Sequence, residues 1–284
     1  MLEKKIRRFV EEDIGQGDVT TLLTIPPGTI VEAEVVAKES GIAAGVKEAM
    51  TLLKSFDLET SALVSEGSKV EKKTVILKVA GDARTLLSIE RTLLNILIRM
   101  SGIATATKQM VEKVASSGYK VRVACTRKVG PGLSYFDKRA VMLGGGDTHR
   151  LHLDDLILIK DNHLAILGSV DKAVKKVRSA VSFSKKIEVE VSTAGEAIEA
   201  AKAGADIVML DNFSPRGVRE AIALLGSEGL RSRVLVEASG GISEQNILQF
   251  ANAGVDILSL GELTHSTRAL DMSLKIVKVR KSKA

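Results

Sequence analysis

Residues 187–212 read IEVEVSTAGEAIEAAKAGADIVMLDN, two short apolar runs separated by an alanine-rich stretch. The first run and the run from Asp206 have the length and the apolar continuity of buried strands, whereas the stretch between them has the length of a helix. A glycine closes that stretch, as is typical of a helix C-terminus. The segment therefore predicts a strand–helix–strand unit whose two strands are parallel.

The same unit recurs through the C-terminal part of the chain. AGADIVMLDN at Ala203 and AGVDILSLGE at Ala253 share a glycine, an aspartate and an apolar run, and DDLILIKDN at Asp154 also ends in Asp-Asn. Strand candidates begin at residues 121, 155, 187, 206, 233 and 256. Repeated units of this kind favour a (β/α) barrel over a dinucleotide-binding sheet, since no Gly-x-Gly-x-x-Gly follows an early strand.

The N-terminal part has a different pattern, which indicates a smaller domain. Leu2 to Glu12 is a helix candidate, and a Pro-Pro-Gly turn at 26–28 precedes residues 29–39, which alternate as a half-buried strand does. A long helical stretch from Arg84 to Val114 follows, and we expect an interruption at Ser101-Gly102. We expect this stretch to link the smaller domain to the larger one.

Composition excludes several classes of protein. The chain has 284 residues, and its single cysteine, Cys125, rules out an intramolecular disulfide or a multi-cysteine zinc site. Its apolar runs are shorter than the roughly 18 residues that a membrane-spanning helix needs. The N-terminus alternates charged and apolar residues, unlike a signal peptide, so we expect a cytoplasmic protein.

The net charge of +6 lies mostly at the C-terminus. Five basic residues and no acid follow Asp271: Lys275, Lys278, Arg280, Lys281 and Lys283. We expect a frayed terminus or the end of a helix, where cations are favourable. A basic nucleic-acid-binding protein is the non-enzymatic alternative, but single-strand binders interleave aromatic residues with basic ones, and two Tyr and six Phe do not supply that pattern.

Polar residues follow the predicted strands, where a barrel carries its active site. One set is cationic and suits carboxylates or phosphates: Arg127, Lys128, His149, Arg150 and Lys160. A second set, Glu190 and Asp211, offers hard oxygen ligands for Mg²⁺ or partners for sugar hydroxyls. These sets predict a site for an anionic substrate.

A third set contains glycines. Ser239-Gly240-Gly241 precedes a helix that we expect to begin near Ser243, so backbone N–H groups could hold a phosphate. Gly261 follows the next strand and would allow a ligand close to the backbone. The pair His149-x-x-His152 has zinc-like spacing, but Arg150 between them disfavours a metal. We interpret Cys125 as a small buried residue rather than a nucleophile.

These residues lie in motifs that resemble quinolinate phosphoribosyltransferase, the decarboxylating nicotinate-nucleotide pyrophosphorylase. The motifs are EDIGQGDVTT (12–21), ERTLLNILIRMSGIAT (90–105), CTRKVGPGL (125–133), GGGDTHRLHLDDLILIKDNH (144–163), IEVEV (187–191), VMLDN (208–212), EASGGI (237–242) and LSLGELTHS (258–266). The resemblance covers nearly the whole chain. It implies an N-terminal α/β sandwich domain over residues 1–105, packed with 266–284, and an incomplete (β/α) barrel over 106–265.

The resemblance also implies an activity and roles for the site residues. The family, a group of pentosyltransferases in NAD biosynthesis, joins quinolinate to phosphoribosyl pyrophosphate and releases pyrophosphate and CO₂, giving nicotinate mononucleotide. Lys128, Lys160, Glu190 and Asp211 would be catalytic, with Lys128 on the phosphates and the two acids on the ribose hydroxyls and Mg²⁺. The quinolinate carboxylates would meet Arg127, His149, Arg150, Lys160 and, from the second subunit of a homodimer, Arg91. The 5′-phosphate pocket would contain Ser239, Gly240, Gly241, Gly261 and His265.

Two other enzymatic interpretations stay open on sequence. One is nicotinate phosphoribosyltransferase, which performs no decarboxylation, and the other is a related branch associated with molybdenum transport genes. The segment IKDNH at 159–163 favours the quinolinate branch.

Overall fold

The computed structural model describes residues 2–280. Its strands are β1 Ile30–Ala37, β2 Gly41–Ile42, β3 Glu59–Ala62, β4 Lys69–Val70, β5 Val75–Asp82, β6 Arg122–Cys125, β7 Ile157–Ile159, β8 Ile187–Val191, β9 Ile207–Asp211, β10 Leu235–Ser239, β11 Ile257–Leu260 and β12 Met272–Arg280. Its helices are α1 Leu2–Ile14, α2 Val19–Thr24, α3 Val46–Ser55, α4 Ala83–Ser116, α5 Ser134–Leu143, α6 Asp161–Leu167, α7 Val170–Arg178, α8 Ala194–Ala203, α9 Pro215–Ser227, α10 Ile247–Ala251 and α11 Glu262–His265. A 3₁₀ turn spans Arg231–Arg233.

The chain divides into two compact units. The first comprises the chain up to Ala106, the segment Tyr135–Gly144 and the chain from Thr267 onward. The second comprises Thr107–Ser134 and Gly145–Ser266. This division groups residues 135–144 with the first unit, whereas the sequence analysis assigned them to the barrel.

An antiparallel sheet forms the centre of the first unit, with strand order β12-β1-β5-β3. The predicted alternation of β1 is confirmed, because Val31, Ala33 and Val35 are buried and Glu32 and Glu34 are partly exposed. Period-two alternation places alternate side chains on opposite faces of a strand, so one face of β1 contributes to the core.

The basic C-terminal segment is the edge strand β12, which pairs with β1 in antiparallel register. The expectation of a frayed terminus or a helix end is therefore wrong for the segment up to Arg280. Glu32 on β1 lies 2.7 Å from the Arg280 guanidinium and 3.5 Å from the Lys278 ammonium, so a neighbouring acid offsets part of the charge. Charged side chains on an edge strand also disfavour pairing with another sheet. Lys281 and Lys283 lie outside the described residues.

The long helix α4 is continuous over 34 residues, so the predicted interruption at Ser101-Gly102 is wrong. Gly102 serves close packing instead, because a Cβ at that position would overlap the carbonyl oxygen of Arg268. Ser101 is buried, and its hydroxyl oxygen accepts a hydrogen bond of 3.0 Å from the backbone N–H of Ala44. Both residues are explained by their tertiary neighbours, which a local pattern does not contain.

Charged contacts hold helix α5 to the first unit. Asp137, which is fully buried, accepts two hydrogen bonds from the Arg99 guanidinium at 2.7 and 2.8 Å. Buried Glu48 lies 2.9 Å from the guanidinium of Arg139 and accepts a 2.9 Å hydrogen bond from Tyr135. Burial and this acid raise the pKa of Tyr135 to about 12. Paired and hydrogen-bonded charges of this kind are costly to separate, which explains the grouping of residues 135–144.

A six-stranded parallel sheet with order β6-β11-β10-β9-β8-β7 forms the second unit. All six predicted strands are confirmed. Successive strands from β7 to β11 are neighbours, β6 lies beside β11, and no pairing joins β6 to β7 within residues 2–280. This order is that of a barrel left open at one position, which confirms the incomplete (β/α) barrel.

Helices between the strands begin and end where the sequence signals predict. Thr193 and Glu196 form a capping box at the start of α8, and Gly204 ends that helix with a positive φ of 100°. Ser214 caps α9, whose first residue is Pro215. These devices satisfy backbone groups that a helix end would leave unpaired. Across residues 2–280, we find no helix with the length and apolar character needed to cross a bilayer.

Candidate active site

The carboxyl ends of the parallel strands bring most of the predicted site residues to one edge of the barrel. Neighbouring strands end in register, with Ser239 of β10 opposite Asp211 of β9 and Leu260 of β11 opposite Cys125 of β6. Residues that follow these ends therefore belong to one edge although they are distant in sequence. They are Arg127 and Lys128 after β6, Lys160 after β7, Glu190 in β8, Asp211 in β9, Ser239 to Gly241 at the end of β10, and Gly261 and His265 after β11.

Lys160, Glu190 and Asp211 form a charged group at this edge. The Lys160 ammonium lies 2.9 Å from a Glu190 carboxylate oxygen, and the Lys160 backbone N–H donates to Nδ1 of His163. Burial and the nearby charge of Glu190 raise the pKa of Asp211, against the opposing charges of Lys160 and Lys128. Two acids this close favour a cation or hydroxyl donors between them. The pair thus has the chemistry expected for Mg²⁺ or ribose hydroxyls.

Lys128 is held by its backbone beside Gly261 and His265. The Thr264 hydroxyl donates a 2.8 Å hydrogen bond to the Lys128 carbonyl. A Cβ at Gly261 would lie 3.1 Å from the His265 ring and 3.2 Å from the Lys128 side chain, tighter than most real contacts. Glycine at 261 therefore gives room to the Lys128 and His265 side chains, which both lie against this strand end.

Arg150 is a buried cation, with 8% of its surface exposed. Within residues 2–280, no carboxylate oxygen lies within 4.0 Å of its guanidinium or that of Arg127. Burial and the nearby positive charge of Arg127 lower the pKa of Arg150. The charges of Glu188 and Asp155 oppose this shift only in part, and a guanidinium with no acid within 4.0 Å keeps its hydrogen-bond donors for an anionic ligand. The two guanidinium groups therefore indicate a carboxylate or phosphate site.

His149, predicted to meet a substrate carboxylate, has both ring nitrogens engaged within the protein. Nε2 lies 3.2 Å from the Glu188 carboxylate and 3.3 Å from that of Glu237. Nδ1 lies 2.8 Å from the Arg150 backbone nitrogen, which donates to it. The backbone of His149 is left-handed, with φ of 52°. In this arrangement both ring nitrogens lie against groups of the protein itself.

The protonation state of His149 follows from two opposing influences. Burial lowers its pKa, but contacts with Glu188 and Glu237 outweigh burial and raise the pKa to about 10, which would make the ring an imidazolium. The Nδ1 contact opposes this, because a protonated Nδ1 is a donor and cannot accept from the Arg150 N–H. We assign the neutral ring with its proton on Nε2, because only that form satisfies the 2.8 Å contact.

The loop after β10 differs from the predicted phosphate cradle. The expected helix start near Ser243 is wrong: α10 begins at Ile247, and the Ser243 N–H already donates to the Asn246 side chain at 2.8 Å. Gly240 has φ of 93°, and a Cβ there would overlap the Asn212 side chain. The glycine is thus required where the ends of β9 and β10 meet. Gly241, with φ of 62°, is exposed.

Glu188 and Glu237 are the buried acids that the sequence analysis did not assign to the site. Glu188 stands two residues from Glu190 in β8, so both side chains point to the same face of the strand. That spacing is the signal that could have identified Glu188. Glu237 gave a weaker signal, because its contact with His149 joins β10 to a distant loop.

The remaining predicted residues have simpler positions. Arg91 is exposed on α4 in the first unit. Cys125 is fully buried at the end of β6, as the structural interpretation expected. His152 is exposed, and its backbone N–H donates to Asp155 at 3.0 Å. His149 has Glu188 and Glu237 rather than His152 as its partners.

Comparisons with known proteins match both parts of the chain to one family. The family model for the C-terminal domain of quinolinate phosphoribosyl transferase matches residues 103–275, and the model for its N-terminal domain matches 18–101. The chain is 45% identical over 271 residues to the probable nicotinate-nucleotide pyrophosphorylase [carboxylating] of Methanothermobacter thermautotrophicus, covering 95% of this chain and 97% of that one. It is 42% identical over 245 residues to the Rattus norvegicus enzyme of that name, covering 86% and 81%.

A solved structure gives the same result. The nicotinate-nucleotide pyrophosphorylase from Francisella tularensis superposes with a TM-score of 0.88 at 36% identity, over 98% of this chain and 96% of that one. Both domain models match in chain order and together cover most of the chain. A chance similarity limited to one motif would not give this result. The chain belongs to the quinolinate phosphoribosyltransferase family.

Proposed function

We propose that this chain transfers the phosphoribosyl group of phosphoribosyl pyrophosphate to quinolinate and releases pyrophosphate and CO₂, forming nicotinate mononucleotide for NAD biosynthesis. The observation that carries the proposal is Arg150, a largely buried residue whose guanidinium has no carboxylate oxygen within 4.0 Å among residues 2–280 and lies near that of Arg127. A dicarboxylate substrate would supply the missing charge. Family membership supports the same reaction.

The acceptor half of the site consists of Arg127, Arg150 and Lys160. Guanidinium groups bind carboxylates through two parallel hydrogen bonds, and an ammonium acts as a point charge. In the free protein Lys160 neutralises Glu190 at 2.9 Å. When a quinolinate carboxylate takes Lys160, Glu190 becomes available to the second substrate, which would favour binding of quinolinate first.

The donor half consists of Glu190, Asp211 and Lys128, with the loops at Gly240 and Gly261 beside them. The two acids have the oxygen ligands that Mg²⁺ prefers, and burial together with the charge of Glu190 raises the pKa of Asp211, which an added cation would oppose. Bound there, Mg²⁺ would neutralise charge on the pyrophosphate. Lys128 would bind phosphate oxygens, and the acids would hold the ribose hydroxyls.

The reaction then depends on how these residues hold charge. The pyridine nitrogen of quinolinate attacks C1 of the ribose while the bond to pyrophosphate breaks, and Glu190 and Asp211 stabilise positive charge on the sugar. The product ring carries a pyridinium charge. Loss of the adjacent carboxylate as CO₂ leaves an electron pair on the ring carbon that this charge stabilises, and a proton completes the product. Arg127 and Arg150 orient both carboxylates through these steps.

The direct test uses carboxyl-labelled quinolinate with phosphoribosyl pyrophosphate and Mg²⁺. We expect one CO₂ and one nicotinate mononucleotide per turnover, measured by trapped label and by chromatography. Nicotinate as the acceptor is the control, because it lacks the second carboxylate. Turnover with nicotinate and none with quinolinate would contradict the proposal and indicate nicotinate phosphoribosyltransferase instead.

Three further parts of the prediction belong to this proposal. The homodimer, with Arg91 reaching the site of the second subunit, predicts that Arg91→Ala loses activity and that mixing it with an inactive Lys128→Ala variant restores part of it. Recovery in mixed dimers is expected because one hybrid site would carry both native residues. The Mg²⁺ requirement predicts loss of turnover in excess chelator. The cytoplasmic location stays a prediction.

A further inference from the structure

Two fully buried acids, Glu188 and Glu237, have no role in the reaction described above. Both have 0% exposure, and neither has a basic side chain other than His149 within 4.0 Å among residues 2–280. Buried carboxylates are costly unless something in the fold requires them. Their position on either side of one imidazole therefore calls for an explanation.

A metal ion is one candidate explanation, since the ligand atoms of His149, Glu188 and Glu237 lie within 4.8 Å of one another. The second ring nitrogen argues against it. A histidine that binds a metal through Nε2 carries its proton on Nδ1 and donates it to a neighbouring acceptor. Here Nδ1 faces a donor, the Arg150 backbone N–H at 2.8 Å. A metal at Nε2 would break that hydrogen bond.

The same hydrogen bond links the acids to the substrate pocket. With Nδ1 accepting, the ring proton is on Nε2, which lies 3.2 Å from a Glu188 oxygen and 3.3 Å from a Glu237 oxygen. All four carboxylate oxygens are buried without a hydrogen bond, so a small rotation of the ring would let either acid accept this proton. Nδ1 of the oriented ring accepts from the backbone N–H of Arg150. The backbone N–H of His149 donates to the Asp147 carboxylate at 2.8 Å. The left-handed φ of 52° at His149 is an uncommon conformation for a non-glycine residue, and these contacts help to hold it. The contacts thus determine the direction in which the chain enters Arg150.

We propose that Glu188 and Glu237 are positioning residues for quinolinate: they hold His149 as the Nε2–H tautomer, and His149 fixes the backbone at Arg150 and so aims its guanidinium. The proposal rests on the proposed function for the identity of the ligand. Neither acid touches substrate. Small errors in the placement of a binding group can cost up to about 100-fold, so the acids would act through geometry alone.

The test compares Glu237→Met, which removes an acceptor, with Glu237→Gln, which keeps one. We expect Glu237→Met to raise KM for quinolinate about 10- to 100-fold, with KM for phosphoribosyl pyrophosphate within about twofold. Glu237→Gln should recover most of that change, since the amide oxygen can accept from Nε2–H. Val189→Ala is the matched control, because Val189 is buried next to Glu188 but faces the opposite side of β8.

The tautomer of His149 can be measured by NMR without an activity assay. The ¹⁵N shifts of His149, assigned among the four histidines with a His149→Gln variant, should report Nε2–H with a bare Nδ1 in the unliganded protein. A proton on Nδ1 would overturn the proposal even if no Glu237 variant folded. A quinolinate KM in Glu237→Met equal to that of Val189→Ala would also overturn it. Failure of the proposed function alone would give a different result. The wild type would release no CO₂, but His149 would still be the Nε2–H tautomer, and the backbone amide NMR shift of Arg150 would still change in Glu237→Met.

Discussion

Replacing Arg150 by Met should lower activity and raise stability at once. Arg150 is 8% exposed, and burial and the charge of Arg127 lower its pKa despite the attraction of Glu188 and Asp155, so its charge is unfavourable to the free protein. Met has a similar length and no charge. The same substitution removes the charge that we assign to a quinolinate carboxylate. The two effects have opposite signs because one concerns the free protein and the other the complex.

The magnitudes follow from the burial of the group. Removing one partner of a desolvated charge pair costs about 2–5 kcal/mol in binding. At about 1.36 kcal/mol per decade, kcat/KM for quinolinate should fall about 30- to 5,000-fold. Replacing a buried charge by an apolar side chain of similar volume stabilises by on the order of 1–2 kcal/mol, which raises the Tm of a protein of this size by a few degrees.

Steady-state kinetics at saturating phosphoribosyl pyrophosphate and thermal unfolding of the free protein measure the two effects. Arg216→Met is the matched control, since the Arg216 side chain is 84% exposed and pairs with Glu220 on α9, 2.7 Å away. It should change kcat/KM by less than about twofold, because an exposed ion pair contributes little. A Tm several degrees below wild type in Arg150→Met, or an unchanged kcat/KM, would refute the reasoning.

Three more outcomes follow from named contacts. Asp211→Asn should lower kcat/KM for phosphoribosyl pyrophosphate about 100-fold. Because the pKa of Asp211 is raised in the folded protein, ionisation of this carboxyl opposes folding, and the variant should unfold at a higher Tm than wild type at pH 7. The difference in Tm should disappear as the pH falls to about 4, where the wild-type carboxyl is protonated. A gap that widens at low pH would contradict this. Asp137→Asn should lose about 3 kcal/mol in urea unfolding, because a fully buried partner of Arg99 loses its charge. Gly240→Ala should lose about 2 kcal/mol and most activity, because φ of 93° and the Asn212 side chain both exclude a Cβ; wild-type stability and kinetics would show that this strand end is not constrained.

Local patterns predicted the elements of this fold well. Period-two alternation identified β1, and the six apolar runs identified the six barrel strands. Burial on one or both faces of a strand determines which of its consecutive residues are apolar, so the pattern is visible locally. The Ser101-Gly102 interruption failed for the complementary reason. In a local pattern a glycine predicts the interruption of a helix, but Gly102 accommodates the backbone of Arg268, which is more than 160 residues away in the sequence.

The candidate site likewise has features that the sequence predicts and features that it does not. The residue types at the ends of the strands were visible in sequence, since cations and acids at those positions have no packing purpose. Their pairings were not visible: Lys160 faces Glu190, Gly240 makes room for Asn212, and His149 faces two buried acids instead of a ligand. Each pairing depends on which strands are neighbours and on the rotamers that the packed barrel allows.

Residue types and their spacing along the chain are enough to predict the order of strands and helices, the chemistry gathered at one edge, and the resemblance to a family. Three features depend on the folded arrangement instead. Arg150 has no carboxylate oxygen within 4.0 Å of its guanidinium among residues 2–280, its backbone N–H donates to His149, and the basic segment up to Arg280 is an edge strand. Burial and hydrogen-bond partners arise from groups that are distant in sequence, and their free energies exist only once the chain has folded.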